Sequence, residues 1–296
     1  MQKSPQSRKV TRALLNLFPL PQPPGDGDKE IRGRVLVVGG EVALPGAVIL
    51  AGTAALRAGA GKLQLASCST IAPHIGAAVP ESMSIALRET SDGAIHPAAT
   101  KTLREHVEAT DAILIGPGLK RAASNDRLVT ELLRIRTTAG IVLDAGALYV
   151  LIDEPDILHE FGGNAIITPH FSEMAALLGL DPEAIEADAP GVAAHAAMRY
   201  GCVVALKGPT TFIATPDGDL FRYESGDVGL ATSGSGDTLG GIAAGLLARG
   251  ASPLNSALWA VYLHGAAGNA LARRVGRIGY LAREIPDEIP RLLRAD

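Results

Sequence analysis

The 296-residue sequence contains few cysteines and few aromatic residues, with two Cys and 4% Phe, Trp and Tyr. Cys68 and Cys202 lie far apart in apolar, strand-like runs, so we expect two buried free thiols and no disulfide. The sequence has no CxxC pair and no histidine pair at metal-ligand spacing such as HExxH. We therefore assign no residues to a protein-bound metal.

The sequence also lacks an excess of positive charge and any long hydrophobic run. Its 27 Lys and Arg against 31 Asp and Glu give a net charge of -4, so the molecule has no overall positive charge that would attract nucleic acid. No apolar run approaches the ~20 residues of a membrane span, and residues 13–18 are too short for a secretory signal. We expect a cytoplasmic protein with no nucleic-acid or membrane partner.

Three familiar site motifs are missing. There is no GxxxxGK[ST] loop, since Gly61-Lys62 is followed by Leu63, and there is no GxGxxG fingerprint. Ser235 stands between glycines but without the GxSxG spacing of a nucleophile elbow. The sequence therefore excludes a Walker nucleotide site, a dinucleotide fingerprint and an α/β-hydrolase nucleophile.

What is present is a regular alternation of strand-like and helical patterns, in a chain that is 47% hydrophobic. The predicted strands cover residues 35–38, 63–66, 83–87, 112–115, 141–143, 165–168, 203–206, 211–215 and 220–223. The predicted helices cover residues 11–17, 45–58, 98–107, 125–135, 171–178, 191–199, 238–249, 255–275 and 285–293. Continuous Val/Ile/Leu strands alternating with helices predict an α/β fold, with a mostly parallel sheet covered on both faces.

The predicted sheet ends in an antiparallel edge hairpin, because Pro216-Asp217-Gly218 is a turn signal between the last two strands. Residues 1–32 are polar and rich in Pro and Gly, and we interpret them as an N-terminal extension and loose connector. Residues 33–296 show no change of composition. They are predicted to form a single domain.

Polar and Gly-rich segments directly follow five of the predicted strands. In open α/β sheets a ligand lies outside the carboxyl ends of the strands, so these segments are candidates for a site at one edge. Each could also be ordinary loop sequence. The segments are Gly39-Gly40-Glu41, Gly116-Pro117-Gly118, Asp144-Ala145-Gly146, Thr168-Pro169-His170 and Lys207-Gly208-Pro209-Thr210-Thr211.

The most informative segment is a Gly-rich turn at residues 231–237 that runs into a helix. The first amides of a helix are unpaired and lie at the positive end of its dipole, so they attract anions, and glycines allow a phosphate to approach closely. Asp237 lies within this turn. It is either a helix N-cap, with a lowered pKa, or a base for a hydroxyl that receives a phosphoryl group.

The remaining candidates each have a structural and a functional interpretation. Lys207 is either a solvated strand end or a cation for a phosphate, and Asp144 either caps the next helix or shapes the site. Thr168 is predicted as an N-cap with Pro169 at the first helical position, which leaves His170 free to donate to a ligand. His264 and the other histidines show no pairing in sequence and are not predicted to be catalytic.

Together these segments resemble the ADP/ATP-dependent NAD(P)H-hydrate dehydratases of the ribokinase-like superfamily. The similarity runs from about Gly33 to the C-terminus, and the order and spacing of its motifs make it specific. It includes residues 35–40, Pro45-Gly46-Ala47, residues 57–61, Gly116-Pro117-Gly118, residues 143–148, Thr168-Pro169-His170 with Glu173, residues 207–211 and residues 231–237.

The resemblance implies a ribokinase-like three-layer α/β/α sandwich and repair of hydrated NADH and NADPH (NADHX and NADPHX). ADP or ATP would phosphorylate the C6 hydroxyl of the hydrated ring with the help of Mg²⁺, and loss of phosphate would restore NAD(P)H. A homotetramer is the family expectation. By the same analogy Asp237 is the catalytic base and also contacts the hydrate, which is further bound by Ala47, Gly118 and His170. The residues implied to bind the nucleotide are Lys207, Gly208, Pro209, Thr210, Thr211 and Gly236. The implied anion hole is formed by Gly234, Ser235 and Gly236.

The chain departs from the family's usual residues at Glu41, Leu44 and Gly146, where the family usually has a small, a Tyr and an acidic residue. Ser233 and Ser235 also replace Gly and Thr around the turn glycine. Two alternatives therefore stay open: a ribokinase-like kinase of a vitamin or sugar alcohol, and a catalytically quiet nucleotide-binding paralogue. The sequence does not choose between ADP and ATP.

Overall fold

The computed structural model describes residues 7–22 and 29–294, so part of the connector predicted at residues 1–32 lies outside the described residues. The described strands are β1 (Arg8–Lys9), β2 (Arg34–Val38), β3 (Lys62–Cys68), β4 (Ser82–Leu87), β5 (Ala112–Ile115), β6 (Gly140–Leu143), β7 (Ala165–Ile167), β8 (Val203–Leu206), β9 (Thr211–Ala214) and β10 (Leu220–Tyr223).

Helices fill most of the connections between these strands. The described α-helices are α1 (Arg12–Leu15), α2 (Pro45–Arg57), α3 (Ala72–Ala78), α4 (Thr100–Glu108), α5 (Ala123–Leu133), α6 (Val150–Asp153), α7 (Phe171–Leu178), α8 (Pro182–Ala187), α9 (Ala189–Tyr200), α10 (Ser235–Ala248), α11 (Pro253–Arg274) and α12 (Ile285–Leu292).

All nine predicted strands are confirmed, with bounds that shift by one or two residues at several ends.

The strands form one sheet in the order β1-β10-β9-β8-β7-β6-β5-β2-β3-β4. Strand β9 is antiparallel to both of its neighbours, and all other pairs are parallel. Strands β5 and β6 are buried along their whole length and β2 at all but its first residue, as expected when helices cover both faces. The predicted α/β sandwich with a mostly parallel sheet and an antiparallel hairpin is confirmed.

The hairpin β9–β10 lies one strand in from the edge, because the short strand β1 pairs with β10. This strand was not anticipated. Trp259 donates its indole N–H to the carbonyl oxygen of Phe18 at 2.7 Å, and Leu15 is fully buried. Residues 7–22 therefore pack against the sheet edge and α11.

Helices α2 and α10 pack against each other at backbone distance. A Cβ atom at Gly241 would lie 2.1 Å from the carbonyl oxygen of Ala51, and one at Gly245 would lie 2.5 Å from that of Ala55. The glycines of α10 are thus required for the close approach, which brings the N-terminus of α10 over the ends of the central strands.

The remaining predictions about composition can be compared with the described residues. Cys68 and Cys202 are both buried and free, as expected, and burial raises the pKa of the Cys68 thiol to about 11. Within residues 7–22 and 29–294, no helix combines the length and apolar character needed to cross a bilayer.

We predict that Gly241→Ala lowers the free energy of unfolding by about 2 kcal/mol, because its methyl group would overlap the carbonyl of Ala51. Gly46→Ala is the matched control: a Cβ atom there has no neighbour within 4 Å, so it should be neutral or slightly stabilising. Urea unfolding of both variants measures the difference. Equal stability of the two variants would contradict the packing argument.

Candidate active site

The five polar segments predicted at strand ends lie along one edge of the sheet, on the adjacent parallel strands β8, β7, β6, β5 and β2. Main-chain hydrogen bonds continue past the strand ends. Asp144 N–H donates to the Ile115 carbonyl at 3.1 Å, and Lys207 N–H donates to the Pro169 carbonyl at 2.8 Å. The segments are therefore held in register with each other.

Lys207 and Asp144 form an ion pair at this edge. The ammonium Nζ is 2.8 Å from Asp144 Oδ1, which also accepts a hydrogen bond from the Thr168 hydroxyl at 2.8 Å. Burial opposes the charge of Lys207, but Asp144 and Glu173 outweigh it and raise the pKa of Lys207. The solvated-strand-end interpretation of Lys207 is wrong. The Asp144 side chain makes no capping hydrogen bond and instead accepts from Lys207 and Thr168.

The helix α7 is capped by His170, and the prediction that Thr168 is the N-cap is wrong. His170 Nδ1 accepts from the N–H groups of Ser172 and Glu173 at 3.1 and 3.2 Å, while Glu173 Oε2 accepts from His170 N–H at 2.7 Å. The Thr168 hydroxyl instead donates a hydrogen bond to Asp144 Oδ1. Because Nδ1 is an acceptor here, the neutral His170 ring carries its hydrogen on Nε2 and presents a donor.

Glu173 completes a group of acidic side chains around Lys207. Its Oε2 lies 3.9 Å from Lys207 Nζ, and its Oε1 lies 3.5 Å from His170 Nε2. Burial raises the pKa of Glu173, and the charge of Asp144 adds to this effect, while Lys207 opposes it. The site therefore holds more carboxylates than cations.

The Gly-rich turn places the N-terminus of α10 beside this group. Gly234 is the N-cap, with a left-handed φ of 87°, so the interpretation of Asp237 as the cap is wrong. Ser235 begins the helix, and Asp237 is its third residue. A Cβ atom at Gly236 would lie 3.4 Å from Lys207 Nζ, so the absence of a side chain leaves space next to the cation.

The pKa of Asp237 is raised, whereas a position at a helix N-terminus is expected to lower it. Burial raises its pKa to about 7, the charges of Asp144 and Glu173 add to this shift, and Lys207 opposes it. A carboxyl group with a pKa near neutrality is suited to accept a proton at physiological pH.

A cavity of about 740 Å³ opens next to these residues. Its lining includes His170, Lys207, Gly208, Pro209, Thr211, Ser235 and Gly236 from the predicted site, and Val228, Leu230, Leu239 and Val261 on its apolar side. Thr210 lies in the loop between β8 and β9 but does not line the cavity. The size and the mixture of polar and apolar walls suit a small organic ligand.

Ala47 and Gly118 meet at a different place along the edge. A Cβ atom at Gly118 would lie 3.1 Å from Ala47 Cβ, and Gly118 has a φ of +71°. Gly118 follows β5, two strands from β7, and Ala47 follows β2, three strands from β7, which is about 10 and 14 Å at typical strand spacing, so His170 is separated from both. The predicted hydrate-binding residues thus occupy two parts of one edge.

Two of the positions that depart from the family pattern are packed into the protein. Glu41 is 4% exposed and accepts hydrogen bonds from Lys120 N–H at 3.0 Å and from Asn125 Nδ2 at 2.7 Å. A Cβ atom at Gly146 would lie 2.4 Å from the carbonyl oxygen of Leu119. Neither residue lines the cavity.

Sequence reasoning missed several residues that line the cavity, among them His264 on α11. The sequence shows no pairing for this histidine, but in the structure its Nε2 lies 2.9 Å from Ser235 Oγ and its ring lines the cavity. The two residues are 29 positions apart, so no local spacing pattern could have linked them.

The raised pKa of Asp237 predicts a pH-dependent stability. The folded chain binds a proton between about pH 4 and pH 7 that the unfolded carboxyl, with its usual value of 3.8, has lost, so stability falls as pH rises through this window. We expect Asp237→Asn to raise the free energy of unfolding at pH 8 by about 2 kcal/mol and at pH 4.5 by only about a quarter as much.

Urea unfolding at the two pH values measures this effect. Asp217→Asn, in the exposed turn between β9 and β10, is the matched control and should change neither value. If Asp237→Asn were no more stable than the parent at pH 8, Asp237 would not be a destabilised buried carboxylate.

Comparison with known proteins agrees with this geometry. The family model for NAD(P)H-hydrate dehydratase matches residues 35–291. The ADP-dependent (S)-NAD(P)H-hydrate dehydratase of Xanthomonas campestris is 46% identical over 98% of this chain and 97% of its own length.

Two solved structures show the same fold. The ADP/ATP-dependent NAD(P)H-hydrate dehydratase of Bacillus subtilis, co-crystallised with ATP and Mg²⁺, is 29% identical with a TM-score of 0.80, covering 99% of this chain and 98% of its own. A ribokinase-like superfamily protein of Enterococcus faecalis is 28% identical with a TM-score of 0.82, covering 97% and 95%. The chain belongs to the NAD(P)H-hydrate dehydratase family and has the ribokinase-like fold.

Proposed function

We propose that this chain catalyses the ADP- or ATP-dependent dehydration of the S-epimer of hydrated NADH and NADPH, with release of phosphate. The observation that carries the proposal is the position of Asp237. Its carboxyl group, with a pKa near 7 and under the influence of Lys207, lies in the first turn of α10, whose residues Ser235 and Gly236 line a ligand-sized cavity. The close similarity to the Xanthomonas enzyme supports the same activity.

The adenine nucleotide is assigned to the cavity. Its phosphates would lie against Lys207 and the bare amides of residues 234–236, where the helix dipole and the absence of side chains favour an anion. The base and ribose would then extend toward the apolar side of the cavity. The name of the Xanthomonas relative favours ADP as the phosphoryl donor.

Mg²⁺ is expected to bind with the nucleotide and not in a protein cage. In the described part of the chain, no group of three or more His, Cys, Asp or Glu side chains could hold a metal ion. Mg²⁺ commonly keeps several waters and binds through one or two carboxylates plus phosphates. The carboxylate of Asp144, whose Oδ2 faces Gly236 and Gly240, fits such a role, and the ion would neutralise charge on the transferred phosphoryl group.

Phosphoryl transfer begins with the hydroxyl at C6 of the hydrated ring. The Asp237 carboxylate takes its proton as the oxygen forms a bond to the terminal phosphorus of the nucleotide. The bond from that phosphorus to the leaving nucleotide breaks, giving AMP from ADP. Lys207 and the amides at Gly236 stabilise the charge on the transferred group.

Elimination then restores the reduced nicotinamide. The C6–O bond breaks and the phosphate leaves with the electron pair, while the ring nitrogen donates its lone pair to C6. Loss of a proton from C5 to the released phosphate re-forms the double bond. His170, fixed as an Nε2–H donor by its capping role, would hold an oxygen of the substrate or the phosphate and would not act as a base.

Several further properties remain predictions. We expect a homotetramer, a cytoplasmic location and no nucleic-acid partner; light scattering of the purified protein measures the first. The division into an extension at residues 1–32 and a catalytic domain at residues 33–296 is likewise a prediction. NADHX and NADPHX are both proposed as substrates.

The direct test is incubation with hydrated NADPH and either ADP or ATP, following the absorbance of reduced nicotinamide. We expect the absorbance to recover and inorganic phosphate to appear in equal amount. A kinase acting on a vitamin or sugar alcohol would give no recovery and would form a phosphorylated product instead. A quiet paralogue would bind nucleotide and give neither signal.

We predict that Asp237→Asn lowers kcat by about 10²-fold or more, because the amide cannot accept the hydroxyl proton. The affinity for ADP, measured by calorimetry, should stay within about threefold, since Lys207 and the turn amides are intact. Asp217→Asn serves as the control and should turn over normally. An Asp237→Asn variant with full activity would rule out a base at this position.

The pH dependence of turnover provides an independent check on Asp237. Because the base must be ionised, kcat should fall as pH decreases below about 7, in line with the raised pKa. The measurement is kcat at saturating ADP and hydrate across pH 5 to 9. A rate that stays constant from pH 8 down to pH 5 would show that no group with this pKa controls the reaction.

A further inference from the structure

His264 makes two contacts with the first residue of α10. Its Nε2 lies 2.9 Å from Ser235 Oγ and 3.0 Å from the Ser235 carbonyl oxygen. The same carbonyl oxygen accepts the Thr238 hydroxyl at 2.6 Å. Ser235 is 5% exposed, and both it and His264 line the cavity assigned to the nucleotide.

These distances determine which ring nitrogen carries the hydrogen. A carbonyl oxygen can only accept, so its 3.0 Å contact with Nε2 requires a hydrogen on Nε2. That N–H is then shared between the carbonyl and hydroxyl oxygens of Ser235. If the Ser235 hydroxyl instead donated to an Nε2 without a hydrogen, the lone pair of Nε2 would face a lone pair of the Ser235 carbonyl oxygen, which is repulsive.

The orientation of the Ser235 hydroxyl follows from this assignment. Since Oγ accepts from His264, its own hydrogen is available to another acceptor. Within residues 7–22 and 29–294, no protein atom accepts that hydrogen. The hydroxyl therefore has a donor to offer to a ligand in the cavity that it lines.

The ring of His264 acts as a neutral donor and not as a cation. Burial lowers the pKa of His264 to about 4, and the positive charge of Lys207 lowers it further. The hydrogen bond to the Ser235 carbonyl acts in the opposite direction but is outweighed. A neutral histidine keeps its Nε2 hydrogen through the physiological range, so its effect on Ser235 does not depend on pH there.

We propose that His264 is a positioning residue that fixes the Ser235 hydroxyl as a hydrogen-bond donor to a phosphate of the bound nucleotide. This rests on the proposed function only in placing a nucleotide in the cavity. It adds a side-chain donor to the backbone amides of the turn, and it explains why a histidine is buried on α11 at the point where that helix meets α10.

The test compares binding of ADP, by calorimetry, with binding of adenosine, by competition, because adenosine lacks the phosphates. We expect Ser235→Ala to weaken ADP binding about tenfold and His264→Leu about fivefold, with adenosine changed less than twofold in both. His264→Gln keeps an N–H near the position of Nε2 and should restore ADP affinity to within about twofold of the parent.

The double variant Ser235→Ala/His264→Leu should bind ADP no more weakly than Ser235→Ala alone, because His264 acts through the hydroxyl. Thermal unfolding of each variant identifies those that fold. Unchanged ADP affinity in Ser235→Ala, an equal loss for ADP and adenosine in His264→Leu, or failure of His264→Gln to restore affinity would each overturn the proposal.

The outcomes also separate this inference from the dehydratase assignment. If the parent binds ADP and the variants behave as expected but hydrated NADPH is not repaired, His264 keeps its role and the proposed function fails. If the parent does not bind ADP at all, both fail.

Discussion

The site depends on one cation held among three carboxyl groups. Lys207 is paired with Asp144 and lies near Glu173, and its ammonium also influences Asp237. A single positive charge cannot balance all three acids, so burial and mutual repulsion raise the pKa values of the two that are less tightly paired. Burial together with this excess of acid raises the pKa of Asp237 to about 7, which suits the base proposed here, and it leaves a destabilised site that added positive charge would relieve.

The backbone around this group has little freedom to move. Gly116 has a φ of +130°, and a Cβ atom there would lie 1.8 Å from the carbonyl oxygen of Asp144. The next residue, Ala145, is held at a φ of 49°, which is unfavourable for a residue with a side chain. The ends of β5 and β6 therefore fix Asp144 by close backbone contact, while Gly241 brings α10 near enough for its first turn to face Lys207.

Much of this was predictable from sequence, because the governing patterns are local. Parallel strands place their carboxyl ends at one edge, so Lys207 and Asp144 could be expected as neighbours, and the glycine turn identified the N-terminus of α10. The capping of α7 was assigned wrongly, since Thr168 is a better cap by type but a buried carboxylate competes for its hydroxyl. His264 was missed for a different reason: its partner is remote in sequence, and only packing of α11 on α10 brings them together.

Two of the departures from the family pattern, Glu41 and Gly146, have structural explanations in the packing of this chain. The buried carboxylate of Glu41 accepts hydrogen bonds from Lys120 N–H and Asn125 Nδ2, and these bonds hold the loop that follows Gly118 in place. Gly146 lies where a Cβ atom would overlap a carbonyl oxygen, so an acidic side chain would not fit this backbone. Both substitutions are accommodated by neighbouring backbone without displacing Lys207, Asp237 or His170. The acid cluster around Lys207 therefore stays intact beside the lining residues Lys207, Ser235 and Gly236 of the cavity, and this intact arrangement is the physical argument against a quiet paralogue.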